Sequence, residues 1–308
     1  MKTLTKQDIA VLFGTEEEKL GIPFTSFYET LDMSYEVIQG KEKESLVLDI
    51  LKKIDCDKQV IGAPERVGVW YDGWNENLQS FRKNRTKLSV VPKFIRPNSV
   101  IRLNGQFVRP SNPFFERDFA KLLQLYVYEA FMTDDIKNVY EFGCGSGFNL
   151  LNLHLTKPNL NLYGSDFVQS SVDLVNEMGA HFEANMQSSL FDMLRPDYSY
   201  EILENSCVFT HGAIEQLAGN FHNFINFIIN KKPNVCFHIE PVVEVYDNSN
   251  LFDYLQTKFH LKRGYSTGLI TYLKDLEREG KVTNVACKRV GFGSKFMEGY
   301  TLISWKPA

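Results

Sequence analysis

One stretch in the middle of the chain decides the fold: Val139-Tyr140-Glu141-Phe142-Gly143-Cys144-Gly145-Ser146-Gly147-Phe148-Asn149-Leu150. Apolar residues lead into an acid, glycine then occupies every second position three times, and an apolar helical run follows. This pattern predicts a strand, a tight turn and the start of a helix. Glycines at such a turn allow positive φ and let a ligand approach bare backbone, while the amides at the helix start offer donors to a polar or anionic group. The spacing differs from the G-x-G-x-x-G fingerprint of dinucleotide-binding folds.

Length, composition and charge narrow the class of protein. The 308 residues leave room for one large domain, or for a core domain with an attachment. A hydrophobic fraction of 44% and an aromatic fraction of 13% are typical of a globular chain with a real core. The net charge of −4 does not indicate a general basic surface, so we expect no nucleic-acid partner.

The termini, hydropathy and cysteines bear on where the protein works. The first eight residues lack the apolar core of a signal peptide. No stretch is long and apolar enough to span a bilayer, so we expect no membrane partner. The five cysteines lie far apart without a CxxC motif, which predicts neither a zinc site nor a disulfide framework. A cytoplasmic enzyme with reduced thiols is the simplest interpretation.

The chain before the glycine turn predicts an α+β attachment. Residues 1–60 mix short helical patterns, which favour a helical cap or a dimer surface. Trp70, Tyr71 and Trp74 lie close together, and such aromatics belong either to a core or interface or to a pocket for a ring-shaped substrate. Asn104-Gly105 between two strand-like runs predicts a hairpin. We therefore expect a substrate-selecting region over 1–110 and the main domain over 111–308.

After the glycine turn, predicted strands alternate with predicted helices. Helical spacing recurs at 114–131, 148–154, 170–178 and 223–230. Strands are predicted at 139–142 and 160–166, and buried strands at 206–210 and 235–239. The segment 181–193 is a poor strand by pattern, and the runs 282–290 and 300–305 predict a terminal antiparallel pair. The alternation predicts an α/β fold with a mostly parallel, doubly wound sheet.

Polar residues at the predicted strand ends are the candidates for chemistry. Asp166 ends the second strand, where an acid accepts hydrogen bonds from ribose hydroxyls in nucleoside-binding α/β folds; the alternative role is a helix N-cap. His211 and Glu215 follow the fourth strand, while His238 and Glu240 end the fifth. Ligands in such folds lie outside these strand ends, so the four residues are candidate bases. A structural role for His238, inside a buried strand, remains open.

The order of these features resembles the class I S-adenosylmethionine (SAM) methyltransferases. Glu-x-Gly-x-Gly-x-Gly resembles their first motif, Phe191-Asp192-Met193 resembles the element beside the adenine, and the segment 210–217 resembles the one after the fourth strand. The resemblance implies SAM as cofactor and a seven-stranded sheet with a reversed final hairpin. It implies these cofactor-binding residues: Glu141, Gly143, Cys144, Gly145, Gly147, Asp166, Phe167, Asp192, Met193 and Thr210.

The expected function is SAM-dependent methyl transfer to an oxygen or nitrogen of a small polar metabolite, such as a sugar or a natural product. The predicted catalytic residues are His211, Glu215, His238 and Glu240, and the predicted substrate-binding residues are Trp70, Tyr71, Trp74 and Glu244. An Asn/Asp-Pro-Pro-Tyr/Phe signature is absent after the fourth strand, which argues against a DNA base as acceptor.

Several alternatives stay open at this point. The chain is a non-catalytic SAM- or nucleotide-binding partner or sensor if none of the candidate bases acts. It is a protein methyltransferase if the aromatic segment holds a peptide. A divalent metal at His238 and Glu240, with Asp247 nearby, is the weakest of these alternatives, so no metal is predicted. The sequence also leaves open whether the protein forms a homo-oligomer.

Overall fold

The structure, a computed structural model, describes residues 1–61 and 66–308. The strands in chain order are β1 (Lys2–Thr3), β2 (Ser34–Val37), β3 (Ile101–Leu103), β4 (Gln106–Pro110), β5 (Asn138–Phe142), β6 (Asn161–Asp166), β7 (Met186–Leu190), β8 (Ser206–His211), β9 (Val235–Glu240), β10 (Val282–Arg289), β11 (Phe292–Ser294) and β12 (Thr301–Pro307). The α-helices are α1 (Lys6–Phe13), α2 (Ile22–Tyr28), α3 (Gly40–Cys56), α4 (Arg66–Asn84), α5 (Phe115–Phe131), α6 (Phe148–Thr156), α7 (Gln169–His181), α8 (His222–Lys231), α9 (Leu251–Arg263) and α10 (Leu269–Arg278).

The larger sheet has seven strands in the order β10-β12-β9-β8-β5-β6-β7. Strands β5 to β9 pair in parallel, while β12 runs antiparallel to both β9 and β10. This confirms the predicted α/β fold with a mostly parallel, doubly wound sheet and a reversed final hairpin. The strand order reverses at β5, because β6 and β7 extend the sheet on one side and β8 and β9 on the other. Ligands of open α/β sheets bind outside the strand ends at such a point.

Burial explains which strands the sequence made easy to predict. Strand β5 is buried at every position, as are most positions of β8 and β9. Strands covered by helices on both faces have continuous apolar sequences, and Phe209 stacks on Phe237 in this core with ring centroids 5.0 Å apart. Strand β7 lies at the sheet edge and is partly exposed, which is why 181–193 made a poor strand by pattern.

The smaller sheet has the order β1-β2-β4-β3-β11. Its β3–β4 hairpin turns through Asn104 and Gly105, whose φ angles of 46° and 73° are both positive as the Asn-Gly signal predicts. Strand β11 comes from the C-terminal part of the chain and pairs with β3. The region predicted over 1–110, of which 62–65 lie outside the described residues, therefore shares this sheet with the segment between β10 and β12.

Several helices differ from the sequence-based expectation. Helix α5 begins at Phe115, and Asn112 Oδ1 accepts a hydrogen bond from the Phe114 amide just before it. Helices α9 and α10 were not predicted, and Trp70 and Trp74 lie on helix α4. Within 1–61 and 66–308, no helix combines the length and the apolar character that crossing a membrane requires.

Candidate functional site

The turn between β5 and α6 holds three glycines in left-handed backbone conformations. The φ angles of Gly143, Gly145 and Gly147 are 71°, 53° and 70°, a region that residues with a Cβ rarely adopt. The Gly143 amide donates to the carbonyl of Ser165 at 2.7 Å, which ties the turn to the end of β6. A Cβ at Gly143 would lie 2.5 Å from that of Ala213. The turn therefore needs glycine both for its conformation and for its close neighbours.

Asp166, at the end of β6, is joined to the same turn. Its Oδ2 accepts from the Gly145 amide at 2.9 Å, and its Oδ1 accepts from the Val168 amide at 3.2 Å. Burial raises the pKa of this carboxyl to about 6, although the amide donors act to lower it. The Phe167 amide and the Ser171 hydroxyl also act on this carboxylate and lower its pKa, so a ligand would have to share or replace these donors. The next residue, Phe167, is 44% exposed and offers an aromatic side chain at this edge.

Glu141 is a buried carboxylate with one oxygen unpartnered. Its Oε1 accepts from Asn149 Nδ2 at 2.5 Å, whereas Oε2 has no hydrogen-bond partner among the described residues. Burial raises the pKa of Glu141 to about 8. Cys144 is also buried, with its Sγ 3.6 Å from the Ser171 hydroxyl, and burial raises its pKa as well. The unpartnered oxygen of Glu141 suits a donor or cationic group of a ligand.

The residues after β7 reach the site in different ways. The Asp192 carboxylate closes its own turn, accepting from the Leu194 amide at 2.9 Å and from Arg195 Nε at 3.0 Å. Met193 is buried, and its Cε would lie 3.3 Å from a Cβ placed on Gly143. The structure thus brings Met193 to the glycine turn and leaves the Asp192 carboxylate engaged locally.

Helix α4 places an indole ring directly over the glycine turn. A Cβ on Gly145 would lie 2.6 Å from Cζ2 and 2.9 Å from Cη2 of Trp74. Trp70 stacks on Trp74 with centroids 5.7 Å apart, and the Ser170 hydroxyl donates to the Tyr71 carbonyl at 3.1 Å. The three aromatics predicted to bind substrate therefore lie on the helix that covers the glycine turn.

A groove of about 640 Å³ lies away from this turn and is lined by Arg82, Arg85, Glu177, Ala180 and His181. Its charged residues Arg82 and Glu177 are joined to each other, with Nη2 of Arg82 2.6 Å from Oε1 of Glu177. We therefore assign no ligand to this groove.

Four buried side chains form a hydrogen-bonded chain between β8, β9 and β12. The Trp305 Nε1–H donates to His238 Nε2 at 2.9 Å, so His238 carries its proton on Nδ1. Nδ1 then donates to the Thr210 hydroxyl at 2.9 Å, which donates to Glu240 Oε1 at 2.7 Å. Burial lowers the pKa of His238 to about 3. Both ring nitrogens of His238 are thus engaged inside the protein.

Glu240 also holds the turn that follows β8. Its Oε1 accepts from the amides of Ala213 and Ile214 at 3.0 and 3.1 Å, and its Oε2 accepts from the Glu215 amide at 3.1 Å. These contacts favour the structural role that the sequence left open for His238, and they assign one to Glu240. Within the described part of the chain, no three His, Cys, Asp or Glu side chains are grouped so that they could hold a metal ion.

His211, at the end of β8, faces residues that sequence analysis missed. Its ring meets that of Tyr300 edge to face at 5.6 Å, and burial lowers the pKa of His211 to about 4. Burial and the nearby Glu116 carboxylate raise the pKa of Tyr300, and burial raises the pKa of Glu116 to about 7. Glu116 lies in the first turn of α5, where an acid is an ordinary helix-start residue, so its sequence position carried no signal.

Glu215 and Glu244 end up in different surroundings. Glu215 Oε1 accepts from Gln216 Nε2 at 2.8 Å, and its buried Oε2 has no partner in 1–61 or 66–308. Burial, and then the charge of Glu240, raises the pKa of Glu215 to about 8. Glu244 Oε1 instead accepts from the Ile270 amide at 3.2 Å, at the start of α10.

Comparison with known proteins supports the fold. No family model and no curated protein sequence matches the chain. Human N-acetylserotonin methyltransferase, solved in complex with SAM, is 13% identical, with a TM-score of 0.44 over 86% of this chain and 66% of that one. The [4+2]-cyclase SpnF is 11% identical, with a TM-score of 0.50 over 77% of this chain and 95% of that one. The small RNA methyltransferase HEN1 is 15% identical, with a TM-score of 0.45 over 66% of this chain and 28% of that one.

The strand order and the similarity with a TM-score of 0.50 agree on one class of architecture. The chain has a class I SAM-dependent methyltransferase fold. Sequence identities of 10–15% support a shared fold and nothing further. Proteins that share such a fold can catalyse different reactions. The activity therefore has to be argued from the site.

Proposed function

We propose that this protein is a SAM-dependent methyltransferase that acts on an oxygen or nitrogen of a small polar molecule. One arrangement carries the proposal. The three-glycine turn after β5, the Asp166 carboxylate and the buried Glu141 carboxylate meet where the strand order reverses. Bare backbone, an acid at the next strand end and an unsatisfied buried acid suit a cofactor with a ribose and a cationic group.

The residues present fit such a cofactor. Gly143 and Gly145 give the turn its left-handed backbone, and Asp166, at the end of β6, would accept from the ribose hydroxyls in place of present donors. Glu141 Oε2, which has no partner among the residues described, would accept from the amino group of the methionine part. Phe167 is exposed beside Asp166 and would pack against the adenine ring. When bound, SAM supplies a methyl carbon on a sulfonium, ready for in-line displacement.

The side chains at the end of β8 would act on the methyl acceptor. Burial keeps His211 neutral at pH 7, so its ring can accept a hydrogen bond and orient a hydroxyl or amine. Its low pKa makes it a weak base, and we assign most of the rate to positioning of donor and acceptor. His238 and Glu240 are not included among the proposed bases, because their hydrogen-bonding atoms are engaged in the buried network.

Calorimetric titration with S-adenosylhomocysteine tests the proposal. We expect binding in the micromolar range, roughly −8 kcal/mol. Asp166→Ala should weaken it by about 1–3 kcal/mol, because buried donors would lose their acceptor. Asp197→Ala is the matched control, since this exposed carboxylate accepts only locally, from Ser199. The absence of heat and of a thermal shift with either SAM or S-adenosylhomocysteine would overturn the proposal.

A second candidate function is a SAM- or nucleotide-responsive partner without chemistry of its own. The observation that favours it is Trp74, whose ring covers the backbone of Gly145 that a cofactor would approach. Helix α4 is fastened there by the Arg82–Glu177 ion pair and by the hydrogen bond from Ser170 to the Tyr71 carbonyl. Cofactor binding would then have to displace Trp74. The observed affinity for the cofactor would equal the intrinsic affinity multiplied by the fraction of molecules in which Trp74 has moved away.

The two functions differ in measurable ways. Under the second, Trp74→Ala should tighten S-adenosylhomocysteine binding, and the ligand should release helix α4 while no methyl group is transferred. Under the first, a single-turnover assay with labelled SAM and a panel of sugars and amines should give a methylated product. Unchanged affinity in the Trp74→Ala variant would argue that the ring forms a fixed wall of the site.

A further inference from the structure

Four of the eight buried polar atoms that lack a hydrogen-bond partner among the described residues lie in the turn after β8 and on helix α9. In the turn after β8 they are Oε2 of Glu215 and Oε1 of Gln216, and on helix α9 they are Oγ1 of Thr257 and Nδ1 of His260. None of the four has a hydrogen-bond partner in the part of the chain that the structure describes. A buried polar atom left unsatisfied costs folding free energy, so four together call for a ligand or ordered water.

Ser266 joins the two segments that carry these atoms. Its amide donates to the Glu215 carbonyl at 2.9 Å, and its hydroxyl donates to the Ile214 carbonyl at 2.7 Å. Its carbonyl lies 2.9 Å from Nε2 of His260. On α9, Thr257 precedes His260 by three residues, which places both side chains on one face of the helix. The turn after β8 and this face of α9 therefore meet at Ser266.

The hydrogen-bonding character of the four groups can be worked out. His260 Nε2 faces a carbonyl, so it carries the proton, and Nδ1 is left as an acceptor. Burial lowers the pKa of His260 to about 4, which keeps the ring neutral at pH 7. Gln216 uses its amide nitrogen on Glu215, which leaves its oxygen as an acceptor. When Glu215 is ionised, the region presents three acceptor atoms and the hydroxyl of Thr257.

Arg263, a basic side chain that acts on Glu215, has hydrogen-bond partners of its own. Arg263 influences Glu215 electrostatically, but its guanidinium donates to Asp57 Oδ2 at 2.9 Å and to the Tyr265 hydroxyl at 3.1 Å. The charge of Glu240 also acts on Glu215 and raises its pKa. A cationic ligand would offset the repulsion between the two acids and lower the pKa of Glu215, so it would bind with Glu215 in the ionised form.

We propose that Glu215, Gln216, Thr257 and His260 form the binding recess for the methyl acceptor, and that the acceptor is an amine-bearing polyol of the amino-sugar class. The ammonium group would lie against Glu215 and the hydroxyls against Gln216, Thr257 and His260. The recess follows β8, the strand beside β5, so a ligand there lies at the same sheet edge as the glycine turn. This inference deepens the proposed methyl transfer and rests on it.

Titration with glucosamine, and with glucose as the uncharged probe, tests the recess on the full chain. We expect the wild-type protein to bind glucosamine at least tenfold more tightly than glucose. Glu215→Gln should abolish this preference. Thr257→Val should weaken glucosamine several-fold without lowering the melting temperature, since its hydroxyl has no partner within the described residues. Thr283→Val, at an exposed position of β10, is the matched control and should change neither quantity.

Three results would overturn the recess: neither sugar binds, Glu215→Gln keeps the preference, or Thr257→Val lowers the melting temperature as loss of an ordered water would. Each variant is also titrated with S-adenosylhomocysteine, so that a failure of the proposed recess can be distinguished from a failure of the proposed methyltransferase function. Cofactor binding without glucosamine binding rejects the recess alone. Glucosamine binding without cofactor binding rejects the methyltransferase proposal and leaves the recess standing.

Discussion

Replacing Gly145 by alanine measures how tightly helix α4 is seated on the glycine turn. Gly145 has a φ of 53°, and a Cβ there would lie 2.6 Å from Cζ2 of Trp74. The left-handed backbone costs an alanine roughly 1–2 kcal/mol, and forced repacking of the indole costs about 1–3 kcal/mol more. We therefore expect Gly145→Ala to lower the free energy of unfolding by about 2–5 kcal/mol, measured by urea unfolding.

Two further variants separate the backbone cost from the cost of the Trp74 contact. Gly212 has a φ of 63°, and among the described atoms the nearest to its Cβ position is Glu215 Oε1 at 3.9 Å. Gly212→Ala should therefore lose only about 1–2 kcal/mol. Adding Trp74→Ala to Gly145→Ala should remove the excess. Hydrogen exchange of the α4 amides shows whether α4 undocks by itself. Equal losses for both glycine variants would refute the reasoning.

Three further predictions concern the buried polar groups. Trp305→Phe should cost about 1–3 kcal/mol of unfolding free energy, because Nε2 of His238 loses its only donor among the described residues; chemical denaturation checks this. Glu240→Gln should lower the melting temperature far more than Glu244→Gln, since the first carboxylate holds a turn through three amides and the second accepts one. Above pH 4.5 the unfolded chain ionises Glu215, whereas the folded chain keeps it protonated up to about pH 8. Wild-type stability should therefore fall across this range, and a Glu215→Gln variant whose stability falls equally would contradict the assignment.

Local sequence patterns were enough to predict the parts of the fold that depend on neighbouring residues. Alternating glycines after an apolar run predicted the turn after β5, because few other residues tolerate three positive φ angles so close together. Asn104-Gly105 predicted the β3–β4 hairpin for the same reason. The short, mostly apolar runs of β8 and β9 predicted buried strands, and the structure buries most positions of both. Strand β7 was hard to predict because an edge strand carries no such run.

The sequence was enough to locate the candidate site at one edge of the sheet, but not to tell which side chains face it. Position at the strand ends selected Asp166 and His211, and the structure places both at the expected edge of the sheet. The same rule selected His238 and Glu240, yet their side chains turn inward to Thr210 and Trp305. A strand end tells which edge of the sheet a residue occupies, whereas the direction and partners of its side chain depend on the neighbouring strand.

The sequence by itself determined the α/β class and the glycine turn, because both depend on backbone preferences and periodicity within short stretches. Only the tertiary structure decided that Trp74 covers Gly145, that Glu240 holds the turn after β8, and that α9 brings His260 beside that turn through Ser266. The contacts of Trp74 with Gly145, of Glu240 with Glu215 and of Ser266 with Ile214 join residues that are 71, 25 and 52 positions apart. No local preference encodes them, since they arise only when separate elements bury their faces against each other.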